Sequence, residues 1–537
     1  MSKVDSTMHK IIAGSLLALL GFLPGAGQAR EAESIQVQFE NSCAAEVQAD
    51  FNHAVTLLHS FEYPETGRIF GEIMSRDPGC AMARWGAAMS IWHPLWAPPN
   101  KATLAEGAEL LAGAEGLNTT PREKAYIAAL QAFYSSTDMR TNRQRALAYE
   151  AGMSQVYARN PDDLEAAVFY ALAVRATADP SDKTYAQQFK SAEILNRVLN
   201  SQPNHPGILH YLIHAYDSPG IAHLALDAAK KYAKAAPDSA HAQHMPSHIF
   251  TRLGLWEMSL TSNHQATASA AEYTVRANLP GYYDDGVHSM DYMMYAFLQT
   301  ARDDEAKALL GRMGNIGKTN TEGFAVAFAY AASPARYALE RRQWQEAAEL
   351  TLGPPNFQWQ EFGWAVAIHH FARGIGAARS EQPEKAKLEW GALKTLQATL
   401  PVSTSTYFRE EAQVELDAVM SWILLAEGNA VEALRLASAA ADREDAVDKH
   451  PVTPGEVLPA RELYADMLLE TGDHAGALAQ YRVVLNAAPN RLNALLGAAK
   501  AAARMGEQAL AGEYYAVVRG QTGSGNRQRA GLGQAWK

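Results

Sequence analysis

Two pairs of histidines stand at a spacing that allows one helix face to hold a metal ion. Each pair has the pattern His-x-x-x-His, with His210 and His214 in the first pair and His244 and His248 in the second, 34 residues later. Residues four apart on a helix lie on the same face, so each pair presents two imidazoles side by side. Imidazole nitrogens are ligands of transition metals such as copper, zinc and iron. We therefore predict that these four histidines surround one transition-metal ion.

Three further residues are expected at the same centre, as additional ligands or as hydrogen-bond partners of the ligands: His241, His288 and Asp291. A carboxylate such as Asp291 either completes a mixed nitrogen and oxygen ligand set or accepts the proton of a bound imidazole. The pattern differs from that of zinc proteases, because Tyr211 and Met245 stand where their mechanism requires a glutamate base.

A second candidate site in the groove consists of His59 and His93, which are also 34 residues apart. Histidines have two other common uses: they hydrogen-bond a peptide or a carboxylate ligand, or they are buried as part of the packing. Both alternatives stay open for this pair and for the central cluster, and the spacing does not decide whether the two groups join.

The same 34-residue spacing governs the residues that begin and end helices. It separates Pro203 from Pro237 and Gly220 from Gly254, and it returns near the C-terminus in the pairs Gly472 and Gly506, Ala477 and Ala511, and Tyr481 and Tyr515. Alanine and leucine dominate at helical spacing, whereas the alternating β-branched runs typical of strands are scarce. The period therefore predicts repeated pairs of helices.

This period, with small residues at repeat positions 8 and 20, resembles that of the tetratricopeptide (TPR) repeat family. The blocks FNHAVTLLHSFEY, AMARWGAAMSIWHPLW and HMPSHIFTRLGLW are similar to those of a group of exported bacterial TPR proteins with a histidine-rich groove. The resemblance implies an all-α, right-handed α-solenoid of about a dozen TPR-like helix pairs. It also implies that the first helix of each pair lines a concave groove, and that both histidine pairs face this groove.

The expected organisation follows from these signals. It comprises a signal peptide (1–29), an N-terminal lead-in (30–46), N-terminal TPR-like repeats (47–205), histidine-rich central repeats (206–310), C-terminal TPR repeats (311–525) and a disordered tail (526–537). Lys3 and Lys10 precede an apolar run, and Gly27-Gln28-Ala29 offers small residues at a cleavage site. An uncleaved anchor is the alternative for this segment.

The cysteines indicate the cellular compartment of the protein, and its net charge excludes some classes of partner. Cys43 and Cys80 each precede the first helix of a predicted repeat, and export would expose them to an oxidising compartment. We predict that they form a disulfide, with two free buried thiols as the alternative. The formal charge of -11 argues against nucleic acid or an anionic membrane as partner. No segment after the signal peptide is long enough to span a membrane.

These features together predict an exported TPR solenoid, periplasmic or secreted, with a histidine-rich transition-metal centre in its concave groove. Such a centre would serve a metal-dependent oxidoreductase or hydrolase. The alternative is a metal-free periplasmic scaffold that binds a peptide or a partner protein. The expected groove ligand is a small molecule or a peptide.

Overall fold

The computed structural model describes residues 37–135, 140–237, 239–401, 404–447, 449–523, 525–529 and 531–536. The signal peptide predicted at residues 1–29 lies outside these ranges. Across the described ranges the chain forms helices and no β-strand, as the sequence predicts. None of the described helices combines the length and the apolar character needed to cross a membrane.

The helices follow one another with short connections. The N-terminal repeats contain α1 (Gln48–His59), α2 (Tyr63–Arg76), α3 (Ala81–Ser90), α4 (Lys101–Ala112), α5 (Pro121–Tyr134), α6 (Asn142–Arg159), α7 (Leu164–Ala176) and α8 (Ala186–Leu199). The central repeats contain α9 (Pro206–Tyr216), α10 (Leu226–Ala235), α11 (Ala240–His244), α12 (Pro246–Arg252), α13 (Trp256–Arg276), α14 (Asp284–Gln299) and α15 (Asp303–Gly314).

The C-terminal repeats continue the pattern. They contain α16 (Phe324–Glu340), α17 (Trp344–Ala348), α18 (Gly363–Arg379), α19 (Pro383–Thr399), α20 (Thr406–Ala426), α21 (Ala430–Asp445), α22 (Ala460–Thr471), α23 (His474–Ala487), α24 (Leu492–Arg504), α25 (Gln508–Gln521) and α26 (Leu532–Ala535). Consecutive helices pack on each other in pairs, and neighbouring pairs stack. The prediction of an all-α solenoid of helix pairs is confirmed.

The turn inside several pairs is made by one residue with a left-handed backbone. Gly254 after α12 has φ +64° and Gly472 after α22 has φ +92°, a region that glycine enters without steric cost. At Gly254 a side chain is excluded for a second reason, since a Cβ would lie 2.2 Å from the carbonyl oxygen of Pro489. Phe61 occupies the same turn position after α1 with φ 57°, which places its ring beside the histidines described below.

The solenoid is wound tightly enough for distant repeats to touch. The carbonyl of His59, at the end of α1, accepts a hydrogen bond of 2.7 Å from Nδ1 of His210 on α9. The amide of Asn490 donates to the carbonyl of Gly254 at 3.3 Å. The first contact brings the turn after α1 into the central repeats, so residues far apart in sequence share the histidine region.

A long loop between α21 and α22 packs onto the central repeats; we call residues 449–459 the covering loop. Nζ of Lys449 donates to Oδ2 of Asp217 at 2.9 Å, and the hydroxyl of Tyr292 donates to the carbonyl of Val452 at 3.2 Å. Lys449 and Val452 are both 7% exposed. The covering loop is therefore part of the interior beside α9 and α14.

Pro246 interrupts the helix that carries the second histidine pair. The helix α11 ends at His244 and α12 begins at Pro246. Proline has no N–H to bond the carbonyl of Ala242, which ends the hydrogen-bond ladder of α11.

At the N-terminus, the structure joins Cys43 and Cys80 in a disulfide, with Cα atoms 4.6 Å apart.

Most of the tail expected to be disordered, 526–537, lies within the described residues. Across residues 525–529 and 531–536, the N–H of Asn526 donates to the carbonyl of Ala301 at 2.6 Å. The guanidinium of Arg529 is 5% exposed and donates to the backbone carbonyls of Leu298 and Glu340. Arg529 thus caps the C-terminal ends of α14 and α16.

Candidate metal centre

The histidines of the central repeats lie in two adjacent groups. The first trio is His210, His214 and His241, and the second trio is His244, His248 and His288. Within each trio, one nitrogen from each imidazole lies within 4.8 Å of the other two. The exposed fractions of the six residues run from 0% for His210 to 7% for His288. The six imidazoles are therefore brought together in the protein interior.

The spacing assigns four histidines to one ion. The structure places two of them in each trio. His241 lies one turn before His244, so its ring reaches His210 at a centroid distance of 5.1 Å. The ring of His288 lies 4.4 Å from that of His244. Across the trios the rings of His214 and His248 lie 6.1 Å apart and those of His241 and His244 lie 6.3 Å apart, so the two trios are direct neighbours. His241 and His288 are thus full members of the trios.

In the first trio, several ring nitrogens have no hydrogen-bond partner among the described residues. The carbonyl of His59 accepts from Nδ1 of His210 at 2.7 Å, which leaves the lone pair of that ring on Nε2. Nε2 of His210, both nitrogens of His214 and Nε2 of His241 are buried and unbonded. A carboxylate oxygen of Asp285 lies 3.8 Å from Nδ1 of His241. The unbonded nitrogens are the ones available to a ligand.

Aromatic side chains form one wall of the first trio. The ring centroid of Phe61 lies 4.4 Å from that of His210, 5.7 Å from that of His214 and 5.6 Å from that of His241. Trp96 lies 6.3 Å from His214 and 6.0 Å from His241. This wall makes the surroundings of the first trio largely apolar.

In the second trio, polar partners fix the orientation of two imidazoles. Oδ1 of Asn263 lies 2.6 Å from Nδ1 of His244, while Nδ2 of Asn263 donates to the carbonyl of Ser259 at 2.8 Å. Oδ2 of Asp217 lies 2.9 Å from Nδ1 of His248. Both partner oxygens accept hydrogen bonds, so each Nδ1 carries the proton and each Nε2 carries a lone pair. These two Nε2 atoms are 3.0 Å apart.

Asp217 is held by three groups from two parts of the chain, α12 and the covering loop. It pairs with His248, with Nε of Arg252 at 3.1 Å and with Nζ of Lys449 at 2.9 Å. Burial alone would raise the pKa of Asp217, but Lys449 and the His248 hydrogen bond hold it well below its usual range. Asp217 therefore stays ionised and continues to accept the proton of His248.

Burial also sets the protonation state of the histidines themselves. It is the largest cause that lowers the pKa of each imidazole in both trios. Neighbouring imidazoles lower the pKa of His210 and His214 further. Neutral imidazoles are the form that binds metal ions.

Asp291 is not brought to either trio. Its Oδ1 accepts from Nη1 of Arg336 at 2.5 Å, and burial raises the pKa of Asp291 to about 6 although Arg336 opposes this. The residue four positions after His288 is Tyr292, and its ring lies 4.7 Å from His244 and 5.5 Å from His288. The i+4 position of α14 thus faces the trio, whereas the i+3 position of Asp291 is turned toward α16.

His59 and His93, the second candidate site, are not brought together either. His93 stacks on Tyr63 at a centroid distance of 4.2 Å. Nε2 of His59 lies 2.7 Å from Glu165, and Nδ1 of His59 lies 3.0 Å from the hydroxyl of Tyr211.

Glu165 also binds a second imidazole. Its Oε1 lies 2.9 Å from Nε2 of His205, and Nδ1 of His205 accepts from the N–H of Ile208. The groups of His59, Glu165 and His205 are as close together as those of the trios. Every ring nitrogen here has a partner, however, so this group is a completed hydrogen-bond network.

The sequence reasoning missed the residues that support the trios. Asn263, Tyr292 and Phe61 lie on other helices or turns, and their types carry no signal for a metal centre. Asp217 offered a weak signal, because it follows His214 by three residues at the end of α9. A carboxylate at that distance on a helix remains near the histidine face.

Comparisons with known proteins give no family for this chain and only distant structural similarity. No protein-family model matches the chain, and no curated protein matches it. Among solved structures, the chain is similar to a human IFIT1 dimer with m7Gppp-AAAA, at 11% identity over 86% of this chain and 94% of that chain, with a TM-score of 0.38. It is also similar to a monomeric IFIT1 mutant with Gppp-AAAA, at 12% identity over 89% and 95%, with a TM-score of 0.36.

The TPR domain of P58(IPK) is a further similar structure, at 12% identity over 86% of this chain and 99% of that chain, with a TM-score of 0.21. Such low TM-scores and identities carry no argument about binding or activity. The chain's own helix pairs establish a TPR-like helical-repeat fold, an architecture that forms extended binding surfaces.

Proposed function

We propose that this protein binds two transition-metal ions, one in each histidine trio. The observation that carries the proposal is the 3.0 Å separation of Nε2 of His244 and Nε2 of His248. Asn263 and Asp217 hold the proton of each ring on Nδ1, so two lone pairs face each other. Two lone pairs at this distance repel unless a cation lies between them. A metal ion bound by both nitrogens at about 2.0–2.1 Å removes this repulsion.

The first trio supports the proposal through its unbonded nitrogens. Each buried polar group without a partner costs about 1–3 kcal/mol of folding free energy. His210, His214 and His241 together leave four ring nitrogens unbonded in one place. An ion bound to one nitrogen of each ring supplies three of these missing interactions.

The ligand set points to a class of metal and to a kind of site. Both cysteines are joined in the disulfide, so only imidazoles are offered, which suits copper, zinc or iron. Three protein ligands leave a position on the ion for another ligand, as in catalytic sites rather than closed structural ones. This supports a metal-dependent oxidoreductase or hydrolase.

A metal-free scaffold for a peptide or partner protein is the competing function, and the repeat fold supports it. The position of the covering loop beside the second trio argues against peptide binding at these histidines. Asp217 and Tyr292, which contact His248, are already bound by Lys449 and Val452 of that loop. A peptide would have to displace these contacts to reach the histidines.

We also propose that the protein works outside the cytoplasm, in the periplasm or as a secreted protein. The disulfide of Cys43 and Cys80 supports this, because disulfides persist in oxidising compartments. The signal peptide predicted from residues 1–29 would provide the route.

The test is the metal content of protein purified without chelators, measured by elemental mass spectrometry. We expect two ions per chain in the wild type and one in each double variant, His210→Ala with His214→Ala and His244→Ala with His248→Ala. His223→Ala, at an exposed position, is the control and should keep both ions. Circular dichroism confirms that each variant is folded. Protein that holds no metal and gains none on dialysis against zinc or copper would overturn the proposal, as would unchanged content in either double variant.

A further inference from the structure

A set of cavities lies beside the C-terminal repeats, away from the histidine trios. The largest, of about 330 Å³, lies between the covering loop, the end of α21 and α23. Two small cavities of about 20 and 10 Å³ lie along α20. Glu456 of the covering loop lines all three. The cavities therefore meet at one carboxylate.

Four glutamates line these cavities: Glu411, Glu415, Glu444 and Glu456. Glu415 is 8% exposed, lines both small cavities, and has no hydrogen bond or ion pair with any residue in the described ranges. Among the described residues, Glu444 accepts a hydrogen bond only from the backbone N–H of Ala460. An ionised carboxylate buried without a partner is strongly unfavourable, so this cluster requires a cation or protons.

Four basic residues line the large cavity: Lys183, Arg252, Lys449 and Arg461. Arg252 and Lys449 line the cavity but pair with Asp217. Arg461 also lines it and pairs with Asp442 and Asp445 near the C-terminal end of α21. None of these four residues lines the small cavities, where Glu411 and Glu415 lie.

The shape and lining of the small cavities favour an organic cation over a metal ion. Their carboxylate oxygens do not gather within 4.8 Å as a set of three, unlike the imidazole nitrogens of the trios, across the part of the chain described. Trp364, Tyr407 and Phe408 line the 20 Å³ cavity together with Glu411 and Glu415. A space of this size holds one water-sized group, and aromatic faces attract an ammonium ion.

The titration behaviour of the cluster agrees with its geometry. Burial raises the pKa of Glu415 well above its usual value, and the neighbouring Glu411 raises it further. Burial, with Glu456 beside it, raises the pKa of Glu411 to about 8. Without a cation the cluster retains protons, and a bound cation would replace them.

We propose that these cavities bind an aliphatic diamine or polyamine. One ammonium group would lie in the small cavity beside Glu411 and Glu415, and the carbon chain would extend past Glu456 into the larger cavity. The proposal does not require a metal ion, because none of the four glutamates belongs to a trio. Arg252 and Lys449 of the large cavity contact Asp217, which binds His248 of the second trio.

The test is the binding of putrescine and spermidine to the full-length mature protein, measured by calorimetry and by thermal unfolding. 1,4-Butanediol is the uncharged analogue of putrescine, and potassium chloride at equal ionic strength controls for general charge screening. We expect both amines to bind and to raise the unfolding midpoint, and butanediol and potassium to do neither.

The variant Glu415→Gln keeps the shape of the side chain and removes its charge. We expect roughly 10- to 100-fold weaker amine binding, together with an unfolding midpoint at least as high as that of the wild type without amine. Glu427→Gln, at a 39% exposed side chain at the end of the same helix, should bind amines like the wild type. Amine binding that is absent at millimolar concentration, matched by butanediol or potassium, or unchanged in Glu415→Gln would overturn the proposal.

Discussion

Replacing Asn263 by leucine is the sharpest single test of how the second trio is held. Asn263 is fully buried on α13, and its Oδ1 accepts the Nδ1 proton of His244 at 2.6 Å. Leucine has a similar size but no acceptor. The proton of His244 would then have no partner on Nδ1, and the tautomer that directs Nε2 toward His248 would lose its support.

The expected magnitudes follow from the loss of this contact, because the hydrogen bond that leucine also removes, from Nδ2 of Asn263 to the carbonyl of Ser259, lies within α13. Leaving a buried donor unpaired costs about 1–3 kcal/mol, so the metal-free protein should unfold at lower denaturant. Removing the partner of a metal-binding histidine weakens metal affinity by about 10- to 100-fold. The first trio shares no partner with Asn263, and its affinity should stay unchanged.

The assay is a chelator competition that measures the affinity of each site, combined with urea unfolding of the metal-free protein. Asn263→Asp is the matched variant, because a carboxylate accepts the same proton; it should retain the affinity that Asn263→Leu loses. Asn263→Leu with two ions bound at wild-type affinity would refute the assigned tautomer and the proposed role of the 3.0 Å nitrogen pair. Equal losses in both variants would instead indicate a packing effect.

Three further predictions concern the rest of the fold. Glu165→Gln should lower the free energy of unfolding by about 1–3 kcal/mol and leave metal content unchanged, measured by urea unfolding and elemental analysis. Burial would raise the pKa of Glu165, but His205 and His59 hold it below its usual value. The difference in the free energy of unfolding between the wild type and Glu165→Gln should therefore be largest at neutral pH and vanish as the pH falls through the folded-state pKa of Glu165. Arg491→Met should cost about 3–5 kcal/mol in the same unfolding assay, because it leaves the fully buried Glu340 and Glu462 without their cation; a smaller loss than Glu165→Gln would contradict this. Thiol titration of denatured, unreduced protein should find no free thiol, and Cys43→Ser with Cys80→Ser should lower stability by about 4 kcal/mol, since the disulfide closes a 37-residue separation; two free thiols would contradict the pairing.

The helix pairs could be predicted from the sequence because their signals are local. Proline and glycine at a 34-residue period mark where helices begin and end, and Gly254 and Gly472 stand at left-handed turns. The i,i+4 spacing likewise placed His210 with His214 and His244 with His248 on shared helix faces. These signals lie within one repeat or in the comparison of two successive repeats.

The grouping of the histidines could not be predicted, because it depends on the offset between neighbouring helices. This offset brings the ring of His241 to 5.1 Å from that of His210 and leaves His214 at 6.1 Å from His248. The same limit applies to α14, where Tyr292 rather than Asp291 faces the second trio. Contacts between distant repeats, such as His59 with Glu165 and Arg529 with the carbonyl of Leu298, leave no periodic signal.

Proximity of ligand groups does not by itself separate a metal centre from a structural network. His59, Glu165 and His205 meet the same 4.8 Å criterion as the two trios. In that group each imidazole gives a proton to Glu165 and accepts one at its other nitrogen, so no atom remains for an ion. In the trios, the supporting groups bind only Nδ1 of His210, His244 and His248, which leaves the lone pair of each ring on Nε2; both ring nitrogens of His214 are unbonded. The metal assignment therefore rests on the partners that the nitrogens lack, and a variant that supplies a donor to those nitrogens should compete with the ion.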